Sequence, residues 1–291
     1  MPSLAEYLIK PEYLFRPSQL ARRLGRMLQP GEHELVVSLP WGLPLRIRRD
    51  DDIGRALWTT GVYDLAVSEA LWRLLDPGET AADAGANIGY MTSLLASRAG
   101  PAGAVRAYEP HPTLFAELAA NGALWAGPVA EIALREVGLT DRSGEGRLVE
   151  GPAFAANRGT ARLADGEEGL AVSVTTLDRE FPPGRRIAVL KADVEGHEAA
   201  VLAGAERLLA ARAIRDIVYE EHAPGDGPAS ALLRSSGYRV FGIAKGLLGP
   251  LLGEPGHRGS SWTPPSCLAT TEPERARARL APRGWECLRG H

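Results

Sequence analysis

Short apolar runs followed by helical periodicity dominate the middle of the chain. Residues 80–83 are small and apolar up to Asp83, which predicts a buried strand, and residues 90–98 repeat apolar positions at helical spacing. The same order recurs at residues 104–121 and again at 187–209. Strands that alternate with helices predict an α/β protein with a mostly parallel sheet.

The stretches on either side follow other patterns. Glu34–Arg48 alternates with period two around a proline-glycine turn, which predicts a β-hairpin, and Asp50–Asp52 is expected to form a turn or a helix cap. Residues 58–78 predict a helix that Pro77-Gly78 ends, and residues 143–178 predict short strands in a β insertion. The expected domains are a helical and hairpin extension at 1–60, a main domain at 61–272 and a C-terminal tail at 273–291.

Composition narrows the classes of partner and compartment. With a net charge of −3, the 291-residue chain has no overall field that favours nucleic acid or a membrane surface. Cys267 and Cys287 lack the spacing of a disulfide framework, and no window of 18 apolar residues predicts a membrane span. A soluble cytoplasmic protein is therefore expected, and whether it forms a homo-oligomer is left open.

The Arg-rich segment 17–28 predicts an amphipathic helix packed on its own domain, with a membrane-surface or partner helix as the alternative.

A glycine-bearing loop follows the first predicted strand of the main domain. Gly85 and Gly89 bracket a tight turn that runs directly into a helix. Glycine lets a backbone approach a ligand closely, and a helix N-terminus presents free N–H groups, so a nucleoside cofactor is expected here. The G-x-G-x-x-G fingerprint of dinucleotide-binding proteins is missing. The carboxylate of Asp83 instead suits a cationic ligand.

An acid about twenty residues further along identifies the expected cofactor. Glu109 ends a second short apolar run, where a carboxylate can accept hydrogen bonds from two ribose hydroxyls. A nucleoside with a ribose, no phosphate and a sulfonium group describes S-adenosylmethionine (SAM). A purely structural glycine turn is the alternative. After the third strand, Thr140 and Asp141 are candidates to contact the adenine amino group, although a plain turn explains Asp141 equally well.

Acidic residues also follow two later strands. Asp193 and Glu195 come directly after the apolar run Ile187–Lys191, and Glu220 and His222 end the next run. Because the carboxyl ends of the strands in an open α/β sheet form the ligand crevice, these groups are expected on one rim with Asp83 and Glu109. There Asp193, Glu195 or His222 could take a proton from a substrate hydroxyl. Alternatively they could hold a divalent cation, although the spacing is not specific for a metal.

Taken together, these motifs resemble the FkbM family of SAM-dependent methyltransferases. The resemblance covers about residues 35–245 and implies a Rossmann-like class I methyltransferase sheet of seven strands, mostly parallel with one reversed. It also implies that SAM is bound by Asp83, Gly85, Asn87, Gly89 and Glu109, and that the reaction is O-methylation in secondary-metabolite, glycan or lipid pathways. The matching pieces are V-S-L-P-W-G, A-D-A-G-A-N-I-G-Y, A-Y-E-P-H-P with Asn121, V-G-L-T-D, T-L-D, L-K-A-D-V-E-G-H-E with A-G-A, and V-Y-E-E-H.

The sequence thus predicts a SAM-dependent methyltransferase that acts on a hydroxyl of a small molecule, natural product or glycan. Its expected catalytic residues are Asp193, Glu195 and His222. Two alternatives stay open at this point. One is a nicotinamide-dependent oxidoreductase, and the other is a catalytically silent SAM-binding scaffold.

Overall fold

The computed structural model of the protein describes residues 10–19, 33–151, 154, 158–164, 166, 168–221, 223, 225–255 and 266–289. The helices in these ranges are α1 (Pro11–Leu14), α2 (Asp52–Thr60), α3 (Leu65–Leu74), α4 (Tyr90–Ala99), α5 (Pro112–Gly122), α6 (Leu177–Glu180), α7 (Glu198–Ala203), α8 (Glu206–Ala210), α9 (Pro228–Ser235) and α10 (Pro273–Leu280). The strands are β1 (Glu34–Ser38), β2 (Pro44–Arg48), β3 (Thr80–Ala84), β4 (Ala104–Tyr108), β5 (Glu131–Arg135), β6 (Gly138–Leu139), β7 (Gly144–Val149), β8 (Arg162–Ala164), β9 (Leu170–Thr175), β10 (Ile187–Ala192), β11 (Ile214–Glu220), β12 (Arg239–Lys245), β13 (Pro250–Gly253) and β14 (Ser266–Thr270). Single 3₁₀ turns occupy Arg158–Thr160 and Glu286–Leu288.

A mixed sheet forms the centre of the fold, in the order β5-β4-β3-β10-β11-β14-β12-β13. The strands from β5 to β11 in this order pair in parallel, whereas β14 runs antiparallel to both β11 and β12. This confirms the predicted mostly parallel α/β fold of the class I methyltransferases. The described part of the sheet has one strand more than expected, because β13 folds back antiparallel onto β12 at the edge.

Helices cover both faces of this sheet. The strands β3 and β10 are buried almost along their whole length, which is why their sequences are nearly continuous apolar runs. One face packs against α3, α4 and the N-terminal hairpin, and the other packs against α7, α8 and α9. The strands therefore lie between two apolar layers, and side chains reach solvent mainly beyond the strand ends.

The predicted N-terminal hairpin is present. Strands β1 and β2 pair antiparallel, with Val37 opposite Leu45 and Leu35 opposite Ile47. At the turn, the indole Nε1 of Trp41 donates to Ser93 Oγ at 3.1 Å, which ties the hairpin to α4. The hairpin is consequently part of the main apolar core.

The helix predicted over residues 58–78 is interrupted. Helix α2 ends at Thr60 because Gly61 adopts a left-handed conformation, with φ of 81°. Asp64 then caps α3, its side chain accepting a hydrogen bond from the backbone N–H of Val67. The acidic cluster before α2 acts as a helix cap, as expected, with Asp51 accepting from the backbone N–H of Gly54 at 2.7 Å.

The insertion forms its own small sheet, in the order β6-β9-β7-β8. Strand β7 pairs antiparallel with both β8 and β9, and Leu148, Val172 and Val174 form a separate apolar cluster beneath them. Short strands thus occupy the stretch in which the sequence predicts them.

The C-terminal residues pack onto the main core. Trp285 is fully buried, and the backbone N–H groups of Glu286 and Cys287 donate to the carboxylate of Glu69 in α3. Glu69 also forms a buried ion pair with Arg73. The stretch expected as a C-terminal tail thus contains the helix α10.

The Arg-rich segment 17–28 lies mostly outside the described residues, since residues 20–32 are not among them. Within the described part of the chain, no helix is both long enough and apolar enough to cross a bilayer. The domain boundaries at 60, 272 and 273 stay predictions.

Candidate functional site

The ends of four neighbouring strands meet at one edge of the sheet. Ala84 of β3 lies opposite Tyr108 of β4 on one side and Ala192 of β10 on the other, and Ala192 lies opposite Tyr219 of β11. The residues that follow these positions in sequence therefore share one rim. They open into a cleft with about 1040 Å³ of empty space, its open mouth included.

Several parts of the chain line this cleft. The lining residues include Ile53, Tyr63, Gly85, Asn87, Tyr90, Glu109, Leu114, Gly138, Leu139, Leu148, Arg158, Leu163, Lys191, Asp193, Glu195, His197 and Glu220. Of the predicted site residues, Gly85, Asn87, Glu109, Asp193 and Glu195 are on this wall. Asp83, Gly89, Thr140 and Asp141, which were also predicted, do not line the cleft.

The glycine loop is shaped by its protein neighbours. Gly85 has φ of +75°, and a Cβ atom there would lie 2.0 Å from the carbonyl oxygen of Asp193. At Gly89, with φ of +94°, a Cβ atom would lie 2.7 Å from Leu118 Cδ1. Asn87 also has a positive φ, 52°, which asparagine tolerates better than most residues. The glycines are therefore required for the loop to pack against β10 and α5, apart from any ligand.

Glu109 ties the glycine loop to the second strand. Its Oε2 accepts a hydrogen bond from the backbone N–H of Asn87 at 2.8 Å, and its Oε1 accepts one from the backbone N–H of His111 at 3.0 Å. Burial raises the pKa of this carboxyl, while the two N–H donors favour its charged form. A carboxylate has about four lone-pair sites, so capacity remains for hydroxyl donors from the cleft.

Asp83 lies beneath the cleft and is fully buried. Its Oδ1 is 3.2 Å from Nζ of Lys191, and its Oδ2 accepts a hydrogen bond from the Thr92 hydroxyl at 2.6 Å. The carboxylate is therefore already paired within the protein, and the contact with a cationic ligand that the sequence predicts for Asp83 stays a prediction.

Lys191 is a site residue that sequence reasoning missed. Besides the ion pair with Asp83, its ammonium donates to the carbonyl oxygen of Gly85 at 2.7 Å and reaches Asp193 at 3.8 Å. Burial opposes its charge, but Asp83 and Asp193 raise its pKa overall. The signal available in the sequence was a lysine inside the otherwise apolar run that precedes Asp193.

The carboxylates at the ends of β10 and β11 form an acidic region of the cleft, made up of Asp193, Glu195 and Glu220. Burial, reinforced by the charge of Asp193, raises the pKa of Glu195 to about 7 and also raises that of Glu220. Asp64 lies near them, and its pKa is raised to about 6, mainly by burial. Glu109, Asp193, Glu195 and Glu220 therefore share one rim, as predicted, whereas Asp83, which was expected there with them, lies beneath it.

Thr140 and Asp141 lie differently from each other. Thr140 is buried, and its hydroxyl is 2.9 Å from Nε2 of His197, whereas the Asp141 side chain is half exposed and pairs with Arg142. Gly138, Leu139 and His197 are on the cleft wall. The Thr140 hydroxyl also donates to Asp141 Oδ1 at 3.1 Å, and the contacts predicted from Thr140 and Asp141 to the adenine stay predictions.

His222 lies outside the described residues. Among those that are described, no three histidine, cysteine, aspartate or glutamate side chains are arranged to hold a metal ion. The roles of His222, Asp193 and Glu195 in catalysis stay predictions.

Comparison with known proteins decides the family. The model of the methyltransferase FkbM domain matches residues 83–240, which is more than half of the chain and includes the glycine loop, Glu109 and the acidic region. The chain belongs to the FkbM methyltransferase family. It is accordingly assigned to the SAM-dependent methyltransferases, as the resemblance in its motifs predicted. No curated protein matches this FkbM methyltransferase.

Solved structures with a similar fold include three methyltransferases. A methyltransferase FkbM from Methylobacillus flagellatus KT is 15% identical with a TM-score of 0.41, and the match covers 67% of this chain but only 44% of that one. A SAM-dependent O-methyltransferase from Thermotoga maritima is 13% identical with a TM-score of 0.41, covering 85% of this chain and 95% of that one. A precorrin-6y C5,15-methyltransferase from Geobacter metallireducens GS-15 is 16% identical with a TM-score of 0.38, covering 71% and 85% respectively.

Proposed function

We propose that this FkbM methyltransferase transfers the methyl group of SAM to the oxygen atom of a hydroxyl group. The hydroxyl belongs to a small molecule, a natural product or a glycan. The observation that carries the proposal is the arrangement of the cleft. Glu109 and the glycine loop lie in the same cleft as the acidic region Asp193, Glu195 and Glu220. One part suits the ribose of a cofactor, and the other suits a hydroxyl that must lose a proton.

The residues present fit SAM. The backbone of Gly85–Gly89 turns at the N-terminus of α4, and the buried Glu109 keeps lone pairs for two ribose hydroxyls. The carbonyl oxygens and carboxylates around Lys191 leave the acidic region negative, which favours a positively charged sulfur. When bound, SAM supplies a methyl group on that sulfur, already activated for transfer. Asp83 would act on this site through Lys191, and Thr140 through His197.

The acidic region would then handle the proton of the acceptor. A general base works best when its pKa is close to the operating pH, and the pKa of Glu195, about 7, meets that condition. Glu195 sits at a positive φ of 56°, which turns the backbone just before the glycine Gly196. Asp193 raises the pKa of Glu195 by its charge and so tunes the base. The rest of the cleft aligns the acceptor and excludes water.

An acceptor carboxylate would need no base. In that case, substitution of Asp193 or His222 would leave turnover largely intact, whereas a hydroxyl acceptor would make turnover depend on the acidic region. The two acceptor classes therefore give opposite results with Glu195→Gln.

Methyl-labelled SAM tests the proposal directly. The purified protein is incubated with ¹³C-methyl SAM and a panel of hydroxylated sugars, polyketides and phenols, and the products are examined by NMR. A new methyl signal in the O-methyl range, together with S-adenosylhomocysteine (SAH), supports O-methylation. A methyl signal on nitrogen or carbon would refute it. If the protein binds SAM but forms no SAH with any acceptor of the panel, a catalytically silent scaffold is favoured. If it binds NAD(H) but not SAM, the oxidoreductase alternative is favoured.

A further inference from the structure

One wall of the cofactor cleft is assembled from three separate stretches of chain. Arg158 and Leu163 come from the insertion, Ile53 comes from α2, and Leu114 comes from α5. Apolar side chains make up most of this set. The wall keeps its shape only if something holds the insertion against the two helices.

Arg158 makes that connection. Its two terminal nitrogens, Nη1 and Nη2, donate to the two carboxylate oxygens of Glu117 in α5, the second at 2.9 Å. Nη2 also donates to Oδ2 of Asp51 at 2.8 Å. The side chains of Arg158 and Asp51 are only 11% and 9% exposed. A paired arginine fork on a carboxylate is among the stronger and more directional polar contacts. The Asp51 contact is shielded from water, whereas the Glu117 side chain is 30% exposed.

The partners of Arg158 are themselves anchored. The other oxygen of Asp51 accepts the backbone N–H of Gly54, so this carboxylate is held at the start of α2. Glu117 lies in the middle of α5. Arg158 therefore brings together two carboxylates from different elements, which would repel each other without a cation between them.

A second contact holds the insertion next to Glu109. The ring of Phe154 stacks on the imidazole of His111 with a centroid distance of 5.0 Å, and Nε2 of His111 is 3.1 Å from Oε1 of Glu150. The backbone N–H of His111 donates to Glu109. The insertion is thus attached on the side of the cleft where the ribose is expected.

We propose that Arg158 is a positioning residue, whose ion pairs with Asp51 and Glu117 hold the insertion as a wall that retains the cofactor. The inference rests on the proposed function, since it concerns how tightly the cleft keeps SAM. Arg158 takes no part in the transfer of the methyl group. Its loss leaves two carboxylates facing each other, and the wall then separates from α2 and α5.

The first test measures retention of SAH by Arg158→Gln, Glu117→Gln and the double variant. Each single variant is expected to raise the Kd for SAH, measured by calorimetry, by about tenfold to a hundredfold, with faster dissociation in stopped flow. The Kd of the double variant for SAH is expected to be no higher than the higher of the two single-variant values, because both substitutions remove the same contact. Arg158→Lys is expected to restore part of the affinity.

Arg147→Gln is the matched control. Arg147 lies in β7 and forms an ion pair with Glu145 of the same strand at 3.0 Å. The substitution therefore removes an ion pair within the insertion and leaves the contacts to α2 and α5 in place. Its Kd for SAH is expected to equal that of the wild type. An equal loss in this variant would show that any charge change in the insertion weakens binding, and would overturn the proposal.

A ligand-free measurement separates this proposal from the proposed function. Limited digestion with thermolysin, mapped by mass spectrometry, is expected to cut residues 150–164 faster in Arg158→Gln and Glu117→Gln than in the wild type. Wild-type SAH affinity and wild-type digestion in both variants would overturn the role of Arg158. If the wild type itself binds neither SAM nor SAH, the proposed function fails, and the digestion alone decides whether Arg158 holds the wall. If Arg158→Gln folds poorly, Glu117→Gln decides.

Discussion

Replacing Lys191 with methionine removes a cation from beneath the cofactor cleft. Methionine keeps most of the length and apolar contact of lysine and loses only the ammonium. Asp83 would then be a buried charge without its ion-pair partner, although the Thr92 hydroxyl would still donate to it. The carbonyl oxygen of Gly85 would also lose its hydrogen bond at 2.7 Å.

The structure sets the expected size of this effect. The side chains of Lys191 and Asp83 are 6% and 0% exposed, so solvent offers little compensation when one partner is lost. Removing one partner of such a buried pair costs about 3–5 kcal/mol. Replacing both charges by neutral groups should cost much less, because no uncompensated charge remains. A domain has a total stability of about 5–15 kcal/mol, so the single variant should be clearly weakened but measurable.

Urea denaturation of four proteins tests this reasoning: the wild type, Lys191→Met, Asp83→Asn and the double variant. We expect Lys191→Met to lower the free energy of unfolding by about 3–5 kcal/mol, and Asp83→Asn to be destabilised as well. The double variant should be more stable than Lys191→Met alone, with a coupling energy of about 2 kcal/mol or more. A Lys191→Met protein as stable as the wild type, or a double variant whose loss is the sum of the single losses, would refute the idea of a coupled buried pair.

Three further predictions follow from the cleft. Glu109→Ala should raise the Kd for SAH, measured by calorimetry, by at least about tenfold. The substitution removes the carboxylate that would accept from the ribose hydroxyls and that accepts from two backbone N–H groups. An unchanged Kd would argue against a contact between Glu109 and the ribose. In the wild type, kcat/KM for a hydroxyl acceptor should rise as the pH passes through about 7, because Glu195 accepts a proton only when it is deprotonated. Glu195→Gln should lose that rise and about 10²–10⁴-fold of the rate, and a variant that kept the wild-type pH profile would exclude Glu195 as the base. Gly85→Ala should lower the thermal stability of the protein clearly more than Gly184→Ala does. Both glycines have a positive φ, but a Cβ atom at Gly85 would meet the carbonyl oxygen of Asp193, whereas one at Gly184, with φ of +86°, would meet no other part of the chain within 4 Å. Equal losses of stability would mean that backbone strain alone matters at Gly85.

Most of the candidate site could be predicted from the sequence, and the position of one carboxylate could not. Glu109 and the glycine loop are where their spacing placed them, because strand, loop and helix are consecutive and their relation is local. The acids after β10 and β11 also share the predicted rim, since strand ends in a parallel sheet come together by topology. The exact position of Asp83 was not predictable, because its partner Lys191 lies more than a hundred residues away in the chain.

By itself, the sequence determined the α/β fold, the hairpin, the insertion strands and the family, since each depends on local periodicity or on the order and spacing of short motifs. Only the tertiary structure decided which charges are neutralised and which face the cleft. Lys191 pairs with Asp83 across neighbouring strands, and Arg158 pairs with two elements distant in sequence. Side-chain periodicity gives the direction of a residue relative to its own strand or helix. It contains no information on which residue of another element lies opposite. The pKa of a charged group, and the stability that its ion pair contributes, depend on that partner and on burial.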